Sequence, residues 1–189
     1  MSRLPRLRGE RGYTLVEMLT VLVIMSVVMT SLTTVFVQAS NSETDMNNRF
    51  QAQLTARLAL DKMRREVHCA SVATPAGASS SVTITLASYC KTGSGSITWC
   101  TRSSGTNTYA LYRVVGTTCS GGVKWADNLV PSATASACSG ALCVFNYTAQ
   151  SLTSLAKLGV DFPVNVKPSK TVELYELRDD IVLRNSTRS

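Results

Sequence analysis

The chain has 189 residues, of which 44% are hydrophobic and 16% charged, and its formal net charge at pH 7 is +7. The first twelve residues contribute +3 of this charge (four Arg minus Glu10), which leaves about +4 for the rest of the chain. Nucleic-acid-binding proteins usually cluster Lys and Arg, whereas the basic residues after position 69 are dispersed. The composition therefore gives nucleic-acid binding little support.

A short basic segment with arginines at 3, 6, 8 and 11 precedes a long apolar run, and residues 18–37 contain no charge, Gly or Pro. At about 1.5 Å per residue, such a run spans roughly 30 Å as a helix, the thickness of a bilayer core. The arginines favour the cytoplasmic side by the positive-inside rule. The run predicts one membrane span, with the C-terminal part of the chain outside the cytoplasm.

Glu17 lies just inside this apolar stretch. A carboxylate in that position is expensive and indicates a function that involves a partner charge. Two other interpretations remain open. One is an ordinary signal peptide cut before Ser40, although the apolar run is longer than the usual 7–15 residues. The other is a plain single-span anchor, which accounts for neither Gly12 nor Glu17.

Residues 12–17, Gly-Tyr-Thr-Leu-Val-Glu, closely resemble the N-terminus of type IV prepilins and type II secretion pseudopilins. The resemblance implies that residues 1–12 are a leader, cut after Gly12 by a prepilin peptidase. The same membrane enzyme would methylate the new amino group of Tyr13. The cleavage motif would be completed by Thr14, Leu15 and Val16.

In that family the residue matching Glu17 pairs with the N-terminal ammonium of a neighbouring subunit and so guides docking into a filament. One helical turn separates Glu17 from Tyr13, so an ammonium on its own chain is also within reach. The partners implied are the peptidase, other pilins or pseudopilins, and membrane lipid before assembly. The implied location is the cytoplasmic membrane, followed by the pilus or pseudopilus.

Residues 41–69 continue the helix as an amphipathic segment, because neither Pro nor Gly occurs between residues 13 and 74. Met46, Phe50, Leu54 and Leu58 recur every four residues, and Met63 and Val67 resume the stripe. The charged run 62–66 is interpreted as a solvated face. We expect one helix over 13–69, with a membrane or filament-core half at 13–39 and an amphipathic half at 40–69 that packs on a domain at 70–189.

A second, looser resemblance covers residues 56–67, which roughly fit a pattern of the form Leu-x-x-Asp-hydrophobic-Arg through Leu58, Asp61, Met63, Arg64 and Val67. Similar segments end the helix in PilW-type minor pilins and in the J-type minor pseudopilin of type II secretion. The tail at 177–185 would also suit a final strand in such proteins. This resemblance implies a minor subunit.

Short apolar runs separated by Gly and Ser predict an antiparallel sheet after residue 69, since the connections are too short for parallel crossovers. We expect loops at 74–81, 91–95 and 131–140. The expected strands cover residues 81–89, 96–101, 108–115, 141–147, 155–162, 170–177 and 180–184. The fold class is therefore α+β, with a long N-terminal helix packed on an antiparallel head.

An even number of cysteines in an exported domain predicts structural disulfides. The candidates are Cys69, Cys90, Cys100, Cys119, Cys138 and Cys143. Fifteen pairings are possible. Loop closure favours Cys138–Cys143, and a Cys90–Cys100 staple across the 81–101 hairpin would leave Cys69 for Cys119. No Cys-x-x-Cys pair occurs, so a metal site is not expected.

No catalytic constellation is apparent. His68 precedes Cys69 near the expected end of the helix, where a histidine interacts favourably with the helix dipole. Asp179 and Asp180 would face opposite sides of a strand. We expect neither an enzyme nor a cofactor. The sequence predicts a minor pilin or pseudopilin that assembles or initiates a type IV pilus-like or type II secretion filament. The alternatives are a DNA-binding minor pilin of a DNA-uptake pilus and a major structural pilin.

Overall fold

The computed structural model describes residues 12–91, 93–170 and 173–186, and these form two compact units that divide between Met46 and Asn47. The predicted leader, up to residue 11, lies outside the described residues, as do Thr92 of the 91–95 loop and residues 171 and 172 of an expected strand. One helix, α1 (Leu15–Cys69), runs through both units. It begins two residues after the expected Tyr13 and ends at the expected Cys69.

The second unit contains the end of α1 and an antiparallel β-sheet. The strands that the structure describes are β1 (Ala70–Thr74), β2 (Gly77–Ser79), β3 (Ser81–Leu86), β4 (Gly95–Gly105), β5 (Thr108–Val115), β6 (Val123–Leu129), β7 (Ala137–Cys138), β8 (Ala141–Leu142), β9 (Phe145–Thr148), β10 (Lys157–Val164) and β11 (Tyr175–Val182). The α+β class expected from the sequence is confirmed.

The main sheet has the order β1-β3-β4-β5-β6-β10-β9-β2, and β11 pairs with β10. Two residues separate β1 from β2 in the chain, yet these strands lie at opposite ends of the order. The sheet must therefore curl until its ends approach one another. The remaining two described strands, β7 and β8, form a small separate hairpin.

The face of α1 that packs on the sheet in this unit carries small residues. Its buried positions recur at intervals of three and four residues and join the core that the sheet provides. They are Ala52, Ala56, Ala59, Leu60, Met63, Glu66 and Val67. Because alanine lets the helix approach closely, large sheet residues such as Trp99 and Phe162 fill the interior.

The expectation that the stripe from Met46 to Leu58 packs on the domain is wrong. Phe50 is 60% exposed and Leu58 is 52% exposed, and Leu54 is also exposed. Helical periodicity finds an apolar stripe, but it does not say which of two candidate faces meets the sheet. The stripe prediction is confirmed only for its last two members, Met63 and Val67, which are fully buried.

The interpretation of residues 62–66 as a solvated face is also wrong at one position, because Glu66 is completely buried. Its Oε2 accepts a hydrogen bond from Trp99 Nε1 at 2.8 Å. Its Oε1 accepts one from Arg113 Nε at 2.8 Å and lies 3.4 Å from Lys62 Nζ. The carboxylate thus ties α1 to β4 and β5.

The described cysteines form three disulfides: Cys69–Cys90, Cys100–Cys119 and Cys138–Cys143. The short Cys138–Cys143 loop is the pair that loop closure favoured. The Cys90–Cys100 and Cys69–Cys119 pairings are wrong. Cys90 lies in the loop that joins β3 to β4, whereas Cys100 pairs with Ser81 at the opposite end of this hairpin. Five residues of strand, about 17 Å, exceed the reach of a disulfide.

Several strand boundaries also differ from expectation. The predicted strand 141–147 is divided between β8 and β9, because β8 turns back on β7 beside the Cys138–Cys143 disulfide. One strand, β11 (Tyr175–Val182), covers the end of the predicted strand 170–177, the beginning of the predicted strand 180–184 and the two residues between them, and its charged residues pair with neighbouring side chains. The predicted loops 74–81 and 131–140 contain β2 and β7, and β1 and β6 were not predicted.

We predict that Glu66→Gln lowers the free energy of unfolding by about 3 kcal/mol, because it leaves the half-buried Arg113 without its counter-charge. Urea unfolding of the full chain in detergent, followed by the fluorescence of Trp99 and Trp125, measures the change. The matched control is Asp61→Asn, which alters an exposed pair with Arg64 and should change stability by less than about 1 kcal/mol. Equal losses in the two variants would contradict a special role for the buried carboxylate.

We also predict that peptide mapping of the oxidised, exported chain under non-reducing conditions recovers the three disulfides of the structure. A Cys90–Cys100-linked peptide as the main species would refute this arrangement of the β3–β4 hairpin.

Candidate functional site

Residues 12–14 precede the first turn of α1, and Thr14 caps it. The main-chain N–H of Glu17 donates to Thr14 Oγ1 at 3.3 Å and to the Thr14 carbonyl at 3.0 Å. A Thr at the N-cap satisfies N–H groups that the first turn leaves without helical partners. The motif therefore also marks where the helix begins.

Glu17 occupies the third position of α1, where the partial positive charge of a helix N-terminus favours a carboxylate. Thr14 and Glu17 have the spacing of a capping box. Within the described part of the chain, however, no side-chain or main-chain donor bonds to the Glu17 carboxylate. The residue is exposed, so its carboxylate is free to meet a group from another molecule.

The residues around the expected cleavage point are equally accessible. Tyr13 is 78% exposed, and Leu15 and Val16 are also exposed. A Cβ built on Gly12 would meet no atom within 4 Å among the described residues. Packing against the described residues therefore does not require a glycine at position 12.

The part of α1 that follows in the first unit is long and apolar enough to cross a membrane. None of its most apolar eighteen-residue window is buried inside the protein. Its hydroxyl groups bond to carbonyls three or four residues earlier, as Ser26 does to Val23 at 2.7 Å and Thr30 to Ser26 at 2.7 Å. Internal bonding of this kind lets Ser and Thr reside in an apolar environment.

A second apolar surface lies on the second unit, where Phe50, Leu54 and Leu58 form an exposed ridge on α1. The helix beside this ridge is held to the sheet by polar contacts. Arg57 donates to the Tyr175 hydroxyl, and Arg64 donates to Asp179. The ridge is therefore presented outward by a helix whose orientation on the sheet is fixed.

The residues considered for catalysis have structural partners. His68 Nδ1 lies 2.9 Å from the Val182 carbonyl. Asp179 pairs with Arg64, whereas Asp180 pairs with Lys157. Among the described residues, no group of three His, Cys, Asp or Glu side chains is arranged to hold a metal ion.

Residues 7–33 match the family model described as the prokaryotic N-terminal methylation motif. No curated protein and no solved structure matches the chain significantly. The chain therefore carries a type IV pilin-like N-terminus, and its long apolar helix and curled antiparallel sheet give it a pilin-like α+β architecture. The motif is that of structural subunits that a prepilin peptidase processes and that assemble with other pilins.

Sequence reasoning identified the motif and an apolar run long enough to span a membrane, but it missed the exposed ridge and the buried Glu66. A signal for the ridge existed in the sequence. The alanines at 52, 56 and 59 share a helical face, and small residues on a face permit close packing. A signal for Glu66 did not exist, because its partners Trp99 and Arg113 are distant in sequence.

Proposed function

We propose that this chain is a minor pilin or pseudopilin, a subunit of a type IV pilus-like or type II secretion filament. The observation that carries the proposal is the combination of the methylation motif at 7–33 with a bare apolar helix whose Glu17 lacks a partner among the described residues. A lone subunit can keep that helix only in lipid. In a filament, neighbouring helices replace the lipid, and an ammonium replaces the missing partner charge.

The minor class is proposed from the resemblance of residues 56–67 to PilW-type and J-type subunits. Two residues of this segment stabilise the second unit, because Met63 is buried in the core and Arg64 donates a hydrogen bond to Asp179. Leu58, by contrast, is exposed on the ridge. The segment thus supports both a stable junction between helix and head and a surface for neighbouring subunits.

The proposed route begins with insertion into the cytoplasmic membrane with the head outside the cytoplasm. The peptidase then cuts after Gly12 and methylates Tyr13, and the subunit moves from lipid into the filament. The basic leader would otherwise hold the N-terminus at the cytoplasmic face, since four arginines cannot enter the apolar core cheaply. Cleavage therefore precedes assembly.

A DNA-binding role has little support on the described surface, because several exposed cations already have partners. Lys124 pairs with Asp127, Lys157 pairs with Asp180, and Arg102 stacks over Tyr112. Side chains engaged in this way contribute less to a field that attracts phosphates. An assembly role requires no such field.

We predict that the mature chain begins at Tyr13. Intact mass measurement of membrane-extracted protein should show the loss of twelve residues and the addition of one methyl group. Replacing Gly12 by Trp should leave the precursor uncut, because a bulky side chain prevents close approach of the peptidase to the backbone. A mature chain beginning at Ser40 would show ordinary signal-peptide cleavage and would exclude the proposed function.

We predict that Glu17→Leu leaves insertion and cleavage intact but reduces recovery of the chain in sheared filaments or with co-purified partner subunits by about tenfold or more. The carboxylate is needed only where it meets an ammonium in a low-dielectric environment, whereas insertion improves when the charge is removed. The matched control is Glu43→Leu, a charge removal on the same helix outside the apolar run. Normal assembly of the Glu17 variant would show that this pairing does not drive docking.

A further inference from the structure

Strand β6 is paired along one of its edges but scarcely along the other. Four of its residues are in register with β5 on one side, whereas only Leu129 is in register with Val164 of β10 on the other. In the described part of the chain, no strand pairs with residues 123–127 on the β10 side. Val123, at the start of this segment, is 64% exposed. An unpaired edge leaves main-chain N–H and C=O groups without a strand partner.

The edge is open because the chain leaves the sheet after β10. If the antiparallel ladder continued, residues 166–170 would lie opposite residues 123–127. The buried side chain of Asn165 instead holds a turn at this point. Its Oδ1 accepts a hydrogen bond from the Lys167 N–H and its Nδ2 donates one to the Lys170 carbonyl, both at 2.8 Å. The position of one neighbouring strand beside β6 is therefore left empty among the described residues.

A groove of about 400 Å³ lies beside this edge, between β6 and α1. Asn48, Gln51 and Thr55 of α1 line one side, and residues 124–128 of β6 line the other. Trp125 is partly exposed, yet its Nε1 is buried and has no acceptor among the described residues. Buried indole N–H groups usually have a hydrogen-bond partner. The groove thus combines an unpaired strand edge with side chains that can bond main-chain groups.

The groove presents no unbalanced charge. The two charged residues that line it, Lys124 and Asp127, pair with one another at 2.7 Å. The Asp127 carboxylate also accepts hydrogen bonds from the Asn128 N–H and the Ser104 hydroxyl. Phosphate-bearing occupants are bound mainly by unpaired Lys and Arg, so this lining favours an uncharged occupant.

We propose that an extended peptide segment of another pilin subunit adds to the free edge of β6 as a further strand. The edge offers main-chain donors and acceptors in a row, and an extended main chain is the chemistry that matches them along its length. In strand addition of this kind, main-chain hydrogen bonds supply the affinity and pockets for alternate side chains supply the specificity. The groove between β6 and α1 is such a pocket.

This inference rests on the proposed function, from which it takes its partner. A minor subunit has other subunits as its neighbours in a filament, so the segment belongs to a different pilin rather than to a second copy of this chain. The inference is independent of Glu17, because every residue that it uses belongs to the second unit.

The test places a photo-reactive phenylalanine analogue at position 123 or at position 127 of the full chain, in cells that assemble the filament. Illumination of intact filaments should crosslink both positions to one segment of another pilin. Paired strands advance together, so the two crosslinked partner residues should lie about four positions apart in that segment. Mass mapping of the crosslinked peptides measures this spacing. The matched control carries the analogue in place of Tyr89, which is 62% exposed in the β3–β4 loop, and it should not crosslink to that segment.

A second comparison fills the groove. Gln51 is exposed and lines the groove, so Gln51→Trp should leave the core intact and obstruct an entering strand. The variant should lower the crosslinking yield at position 123 at least about tenfold, because the added ring clashes with the segment. The matched control is Gln53→Trp, two positions further along the helix and therefore on another side of it. This control should leave the yield unchanged.

Crosslinks from positions 123 and 127 that fall in different segments, or that lack the four-residue spacing, would overturn the inference. Equal yields from the two tryptophan variants, or a crosslinked segment that belongs to a second copy of this chain, would overturn it as well. If filaments contain the chain but give no crosslinks, the proposed function stands and only the strand addition fails. A chain that is neither cleaved at Tyr13 nor recovered in filaments would refute the proposed function, and strand addition with it.

Discussion

The carboxylate of Glu66, buried between helix and sheet, is the constraint on which the arrangement of the second unit depends. An ionised group inside a protein is costly unless it is fully bonded, and Glu66 meets this demand with the Trp99 indole and the Arg113 guanidinium. These partners come from two neighbouring strands. Both can bond the carboxylate only when α1 packs on the sheet with one particular rotation about its axis and one particular register. A helix rotated by one residue would leave the carboxylate, the indole and the guanidinium without their bonds.

Fixing the rotation of α1 also decides which side chains face outward. The alanines at 52, 56 and 59 lie against the sheet, and therefore Phe50, Leu54 and Leu58 point away from it. Larger side chains on the inner face would have buried more area of the helix but would have competed for space with Trp99 and Phe162. The large side chains of the core therefore belong to the sheet, and an apolar ridge of α1 stays exposed to solvent. Such a ridge is unfavourable in an isolated soluble domain but can be buried when a subunit packs against others.

The three disulfides crosslink the second unit, two of them at the curled sheet and one at the separate β7–β8 hairpin. Cys69–Cys90 joins the end of α1 to the loop after β3, and Cys100–Cys119 holds the β5–β6 connection to β4. The Cys138–Cys143 bridge closes the small β7–β8 hairpin. Each crosslink restricts the unfolded chain and so stabilises the folded unit, typically by about 2–4 kcal/mol.

The sequence by itself determined the features that depend on neighbouring residues. The apolar run, the position of Glu17, the Thr14 cap and the uninterrupted helix to Cys69 follow from local composition and spacing, as does the β5 strand at 108–115. The short Cys138–Cys143 bridge follows in the same way, because its two ends are five residues apart in the chain.

Only the tertiary structure decided the features that depend on contacts between distant residues. The burial of Glu66 requires Arg113, 47 residues away, and the pairing of Cys90 with Cys69 requires the register of β1 on β3 and of β3 on β4. The choice between two apolar faces of α1 was likewise made by the shape of the sheet. Periodicity describes one helix or one strand at a time, whereas these outcomes are set by how the elements fit together, and that information is not contained in any single segment.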